Sequence, residues 1–249
     1  MISLSSTASV LASLTLPKPL LQLEQGSIAK PASLFHGVVE RVRLVYAIVT
    51  HPPLLFQKLF SGEWSRFTYY NLAIMVSFTG VGLFFTQMPT YLKQIRNLSD
   101  SLVLITSAIH SISSTISFTA MYTIASIIGT GKLLLLGIGG RVAVFLAPII
   151  TEWMPATIQA LVIYTFTGIT WAMISVSANS LAIHLTGMKS GGKPIGFLNS
   201  SMSIGLIIGS LASGIIAKLH GLRACFIAAS SLMLVSLLML YNALKGVRV

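Results

Sequence analysis

The 249-residue sequence is 54% hydrophobic and only 8% charged, against about 25% charged residues in an ordinary soluble domain, so it has too little polar surface to cover a water-soluble fold. Its formal net charge is +11, from 16 Lys+Arg against 5 Asp+Glu, but the basic residues fall in the gaps between long apolar runs. That placement belongs to a membrane protein, and it lacks the aromatic-interleaved basic stripe of a nucleic-acid binder.

Residues 1–16 are apolar, short and rich in Ser, with no basic region before them. A signal peptide fits poorly; a better reading is the stub of a preceding membrane helix, stopped by Pro17 and Pro19. Residues 17–66 form a polar, basic connector on the cytoplasmic side. Within it Val38 to Val49 has two readings. One is an amphipathic helix on the membrane surface, with Arg41 and Arg43 toward the headgroups and His51-Pro52-Pro53 ending it; the other is a solvated linker.

A helix that crosses the hydrocarbon needs about 20 mostly apolar residues. Runs of that kind lie at 67–91, 102–127, 133–151, 157–183, 195–217 and 223–243. They are apolar on all sides and rich in Gly and Ser, as close helix packing in lipid requires. The expected fold class is all-α integral membrane: a six-transmembrane-helix bundle over residues 67–245, preceded by the connector. The loops are short, so sequence neighbours run antiparallel. Lys93, Arg96, Lys218 and Arg223 fall on one side and the other twelve of the 16 Lys and Arg on the other, counting Arg141 with its nearer loop. That asymmetry predicts a multi-pass protein with both termini cytoplasmic.

All five acidic residues, Glu24, Glu40, Glu63, Asp100 and Glu152, fall outside the spans. An intramembrane carboxylate for proton coupling would have to come from a partner. His110, about a third of the way along the second span, is either a titrating group or a neutral imidazole bonded to a neighbouring Ser or backbone. Arg141, near the middle of the third span, either meets an anion or a partner's carboxylate, or snorkels to the cytoplasmic headgroups. Trp171, Ser175 and Asn179 recur every four residues and so share a helix face, to stack on and hydrogen-bond a solute or to pack between helices. Asn71, Gln87 and Asn199 are further candidates for a cavity, while Tyr69 and Tyr70 suit an interfacial aromatic belt. Gly196, Gly205, Gly209 and Gly214 read as helix-packing positions, the middle two in small-xxx-small spacing.

Nothing in the pattern points to an enzyme or a cofactor. Gly129-Thr130-Gly131-Lys132 shares only its composition with a phosphate-binding loop, and no strand precedes it. His36, His51, His110, His184 and His220 are not spaced as metal ligands. The single Cys225 excludes an intrachain disulfide and a Cys-cluster zinc site, and reads as a small apolar residue.

Several stretches resemble the C-terminal half of a major facilitator superfamily transporter. Gly192-Lys193-Pro194-Ile195-Gly196, Asn199, Gly205, Gly209, Ser210, Ser213 and Gly214, followed by Gly221 and Phe226, are similar to that family's last two helices. Gln87-Met88-Pro89-Thr90-Tyr91-Leu92 resembles the outer end of its seventh helix, and Gly168 to Ile174 with Asn179 its tenth. The glycine spacing resembles the family's antiporter motif, which continues with Pro and closes on Gly-Gly. Here Ser210 and Ser213-Gly214 stand instead, so the antiporter label is not carried over. Of the family's loop motif only Gly129 and Lys132 remain, with Ser126 and Ile127 where Asp and Arg are expected.

The resemblance implies a carrier built from two six-helix halves, with solute near the bilayer midplane between them. Residues 1–16 would be the end of a sixth helix and 17–66 the central loop. The tenth helix, with Trp171, would help line the pathway, and the peripheral ninth helix would favour snorkelling of Arg141. The expected partners are membrane lipid, a small-molecule solute, and an N-terminal six-helix half or a second copy of this chain. That half would be a separate chain, a lost segment, or one upstream of the present start. The rival reading is a non-transporting remnant or membrane scaffold that binds another membrane protein.

Overall fold

A computed structural model describes residues 66–186 and 192–245. The predicted stub and most of the connector, and Lys189 in the fourth loop, lie outside the described residues. Six helices follow in order: α1 (Arg66–Gln94), α2 (Asp100–Ile128), α3 (Thr130–Ile150), α4 (Ala156–Thr186), α5 (Lys193–His220) and α6 (Leu222–Leu244). Among the described residues there is no strand. Each helix carries an 18-residue window of mean hydropathy between 1.4 and 2.2, with few charges, enough to cross a membrane. The expected six-helix membrane fold is what the chain adopts.

The helices overrun most of the predicted apolar windows at their polar ends. Lys93 and Gln94 extend α1, Asp100 opens α2 and His220 ends α5. An apolar window measures hydrocarbon thickness, whereas a helix continues into the headgroup layer until a cap or turn stops it. Ser99 caps α2, its Oγ accepting from the Leu102 N–H at 3.4 Å, and Asp100 favours the positive helix start.

Two reversals are made by one residue each. Gly129 (φ 89°, ψ 146°) joins α2 to α3, and Gly221 (φ 83°, ψ 168°) joins α5 to α6. These dihedrals lie in territory that essentially only glycine occupies. Gly129, expected as part of a loop-motif remnant, is therefore a helix joint, and Lys132 is an exposed residue in the first turn of α3.

Helix α1 packs chiefly on α5 and α6, α2 on α4, and α3 on α4 and α6. Phe84 stacks on Phe145 at 4.1 Å and meets Phe226 at 5.4 Å, forming the centre of the core. Buried hydroxyls reach carbonyls of neighbouring helices: Tyr70 donates to Ala178 (2.9 Å), Ser230 to Val142 (2.9 Å) and Ser236 to Ala73 (2.8 Å). In hydrocarbon such groups have no water to fall back on. Helices α2 and α5 are the least covered, with 17% of each apolar window buried.

One end of the bundle is clasped by charge. Arg96 donates to the carbonyls of Glu152 and Met154, Arg223 pairs with the Glu152 carboxylate at 2.8 Å, and Lys93 pairs with Asp100 at 2.6 Å. Tyr91 and Gln159 donate to the Pro148 carbonyl (2.8 and 3.0 Å), one of the orphan acceptors at the end of α3.

Candidate functional site

Glycines bring α3 against α4. A Cβ on Gly137 would lie 2.9 Å from Ile174 Cγ1 and 3.0 Å from Met173 Cβ, and one on Gly140 3.0 Å from Thr170 Cγ2. One face of α3 is therefore pressed onto the middle of α4, and Arg141 is carried in with it. Its side chain is 1% exposed. The snorkelling reading fails for this reason: Arg141 sits at mid-helix on the packed face, and its head does not reach the headgroups.

The guanidinium lies among aromatic rings. Its central carbon is 5.9 Å from the centre of Phe85, 5.8 Å from Phe145 and 5.5 Å from Trp171, all within cation–π reach. Nε donates a long bond, 3.4 Å, to Thr170 Oγ1, and Nη1 is buried with no hydrogen-bond partner. Among the described residues the carboxylates are Asp100 and Glu152, both engaged at the clasped end, so neither of them neutralises Arg141.

His110 enters from α2. A Cβ on Gly168 would lie 2.6 Å from the His110 carbonyl and 2.9 Å from Ser113 Cβ, so glycine there lets the α2 backbone rest on α4. The imidazole Nδ1 is 3.1 Å from Thr167 Oγ1. Thr167 spends its only proton on the Tyr164 carbonyl at 2.8 Å, so it can only accept from the histidine. That arrangement assigns a proton to Nδ1. The His110 ring also stands 5.6 Å from Phe85, the ring that faces Arg141. His110 is thus an imidazole bonded to a neighbouring hydroxyl, that of Thr167.

The predicted stripe on α4 divides. Trp171 joins the cluster, half-buried between Arg141 and Phe78, whose ring is 5.9 Å away. Ser175 and Asn179 lie further along the helix, where the Asn179 amide donates to the Ser175 carbonyl at 2.9 Å. Asn71 and Gln87 serve the α1–α5 contact. Asn71 accepts from Ser201 at 3.4 Å, and Gln87 donates to Ser213 at 3.0 Å. Asn199 is exposed near the start of α5.

Gly205 and Gly209 are buried against the α1 backbone at Met75 and Thr79. Gly196 and Gly214 need correction. Both are exposed, and nothing lies within 4 Å of a Cβ built on either, so neither packs helices within this bundle. They sit on the exposed side of α5 rather than on its α1 side.

Sequence reasoning missed Phe85, Phe145, Thr167 and Thr170. Thr167 lies four before Trp171 and so extends the Trp171–Ser175–Asn179 series by one turn toward the helix start, and Thr170 lies three after Thr167. Phe85 and Phe145 carry no signal of their own among 12 phenylalanines.

No curated protein and no solved structure gives a match to the chain. A family model described as Major Facilitator Superfamily matches residues 70–246 and so runs through all six helices. With six apolar helices long enough to span a membrane, and that match across them, the chain belongs to the Major Facilitator Superfamily of membrane transporters.

Proposed function

We propose that the protein carries a small solute across the cell membrane by alternating access, as one six-helix half working opposite another. The observation that carries this reading is the family match over α1–α6. A polar and aromatic cluster of Arg141, His110, Trp171, Thr167 and Thr170 at mid-helix depth supports it, since solute sites of such carriers lie at that level. The opposing half is an N-terminal six-helix bundle or a second copy of this chain. Both termini are cytoplasmic, from the Lys and Arg asymmetry read along the sequence.

The reading is tested by reconstitution into proteoliposomes, alone and with a co-expressed six-helix partner, followed by counterflow of a radiolabelled solute panel. Saturable uptake that collapses in Arg141→Ala is the expected result. A folded, correctly inserted protein that moves no solute in either format would mean a membrane scaffold instead.

A further inference from the structure

Arg141 poses a chemical problem that the fold does not solve. A guanidinium does not lose its proton in a protein, and a buried ion without a partner is strongly destabilising. Here the side chain is 1% exposed, Nη1 has no acceptor, and the described carboxylates are engaged at the clasped end. The three rings at 5.5–5.9 Å attract the charge but offer no lone pair to its N–H groups.

The cover over Arg141 is thin. Phe85 on α1, His110 on α2 and Trp171 on α4 are each half-buried, so the layer of side chains about the guanidinium also reaches the bundle's surface. A carboxylate fixed on a docked partner helix would have to pass through that layer. A small mobile anion displaces less of it than a helix does.

We propose that the missing counter-ion is the solute itself, an organic carboxylate with an apolar or planar body that pairs with Arg141 and lies against Phe85, Phe145 and Trp171. This rests on the carrier reading above and names its substrate class. A carboxylate presents two coplanar oxygens to the flat guanidinium fork, and the rings select a body that stacks. Thr170 holds Nε, which leaves the Nη1 side of the fork for the ligand. Among the described residues no carboxylate competes for it.

The test reads binding, not transport. Trp171 is made the sole tryptophan by Trp64→Phe and Trp153→Phe, and the protein is held in nanodiscs of zwitterionic lipid. Its fluorescence is titrated with benzoate, with the neutral isostere benzamide and with inorganic phosphate. Benzoate is expected to give a saturable change at least about tenfold tighter than benzamide, as a charge-assisted fork requires. Arg141→Met should abolish it while the unfolding temperature stays at or above that of the parent.

Equal responses to benzoate and benzamide, no response to benzoate, or an unchanged benzoate affinity in Arg141→Met would each overturn the proposal. Phosphate binding tighter than benzoate would overturn the carboxylate assignment. If Arg141→Met does not fold, the thermal shift of the parent protein decides: stabilisation by benzoate and not benzamide supports the site, and equal shifts or none refute it. Arg141-dependent benzoate binding without any uptake counts against the carrier reading alone. A neutral solute carried equally well by Arg141→Met counts against the anion site alone.

Discussion

The closest approach in the bundle is between α1 and α5, and one methyl group placed there tests how tightly it is built. At Gly209 a Cβ would run into the Thr79 carbonyl oxygen, with Thr79 C at 2.9 Å and Leu83 N at 3.0 Å. From the other side, a Cβ on Gly82 would lie 2.5 Å from the Leu206 oxygen and 3.1 Å from Gly209 C. All of these are backbone atoms, so no rotamer change relieves the clash. Carbon contacts are comfortable at about 3.5–4 Å, so Gly209→Ala must drive the helices apart by roughly an ångström at this point.

Overpacking of that kind costs about 1–3 kcal/mol, and rigid backbone places it at the upper end. The same displacement stretches two bonds between these helices, Gln87 to Ser213 at 3.0 Å and Thr86 to Ser210 at 3.1 Å. Interhelical bonds in membranes average about 0.6 kcal/mol each, so the expected loss is roughly 4 kcal/mol. Gly214→Ala is the control on the same helix. Nothing lies within 4 Å of its Cβ, so it should be neutral or gain up to about 1 kcal/mol of helix propensity. Unfolding in mixed micelles with increasing SDS, followed by tryptophan fluorescence, reads both. A Gly209→Ala loss below about 1 kcal/mol, or a Gly214→Ala loss as large as that of Gly209→Ala, would refute the reasoning, since exposed positions ordinarily change stability by less than that.

Four further outcomes are expected. Arg96→Met should cost roughly 2 kcal/mol by SDS unfolding, because charge-assisted bonds to two loop carbonyls are lost. Glu152→Gln should cost under about 1 kcal/mol, since its partner Arg223 is largely exposed; equal losses would mean that the carboxylate, not the Arg96 bonds, holds the clasp. Gly168→Ala should cost about 1–3 kcal/mol and break the His110–Thr167 bond, read as a shifted imidazole nitrogen signal by NMR; an unmoved signal would mean that Gly168 does not set the approach of α2. Gly221→Ala, at φ 83° and ψ 168°, should cost about 1–3 kcal/mol without filling any space, and a wild-type unfolding midpoint would show that the joint relaxes to ordinary dihedrals.

The spans were legible because hydrocarbon imposes one crude demand, length and apolarity, that any window of residues reveals. What remained hidden depends on which way each helix face turns. Gly209 and Gly214 look alike in sequence, both in α5 among small residues, and differ only because α1 lies on one side and not the other. Arg141 was ambiguous for the same reason. Hydropathy places it at mid-span, but whether it snorkels or turns inward is set by Gly137 and Gly140 pressing α3 onto α4. Trp171, Ser175 and Asn179 share one face of α4 by their spacing, yet a face runs the length of a helix and a site occupies about one turn of it. Only the turn level with Arg141 takes part, and it includes Thr167, four before Trp171, and Thr170, three after Thr167.

The way the helices pair bears on how such a site could open. Backbone contact at Gly82, Gly205 and Gly209 welds α1 to α5, and contact at Gly168 welds α2 to α4. Between α1 and α4 at the level of Arg141 the links are of another kind: ring against ring at Phe78–Trp171, and rings against a guanidinium at Phe85 and Trp171. Nearer the start of α1, by contrast, a direct bond from Tyr70 to the Ala178 carbonyl ties the same two helices. Ring contacts are weak singly and tolerate sliding, whereas opposed glycine backbones do not. At the level of Arg141 the direct contact between α1 and α4 is therefore softer than the glycine contacts, while α3 and α6 tie the same helices together elsewhere, through α1 on α6, α6 on α3 and α3 on α4.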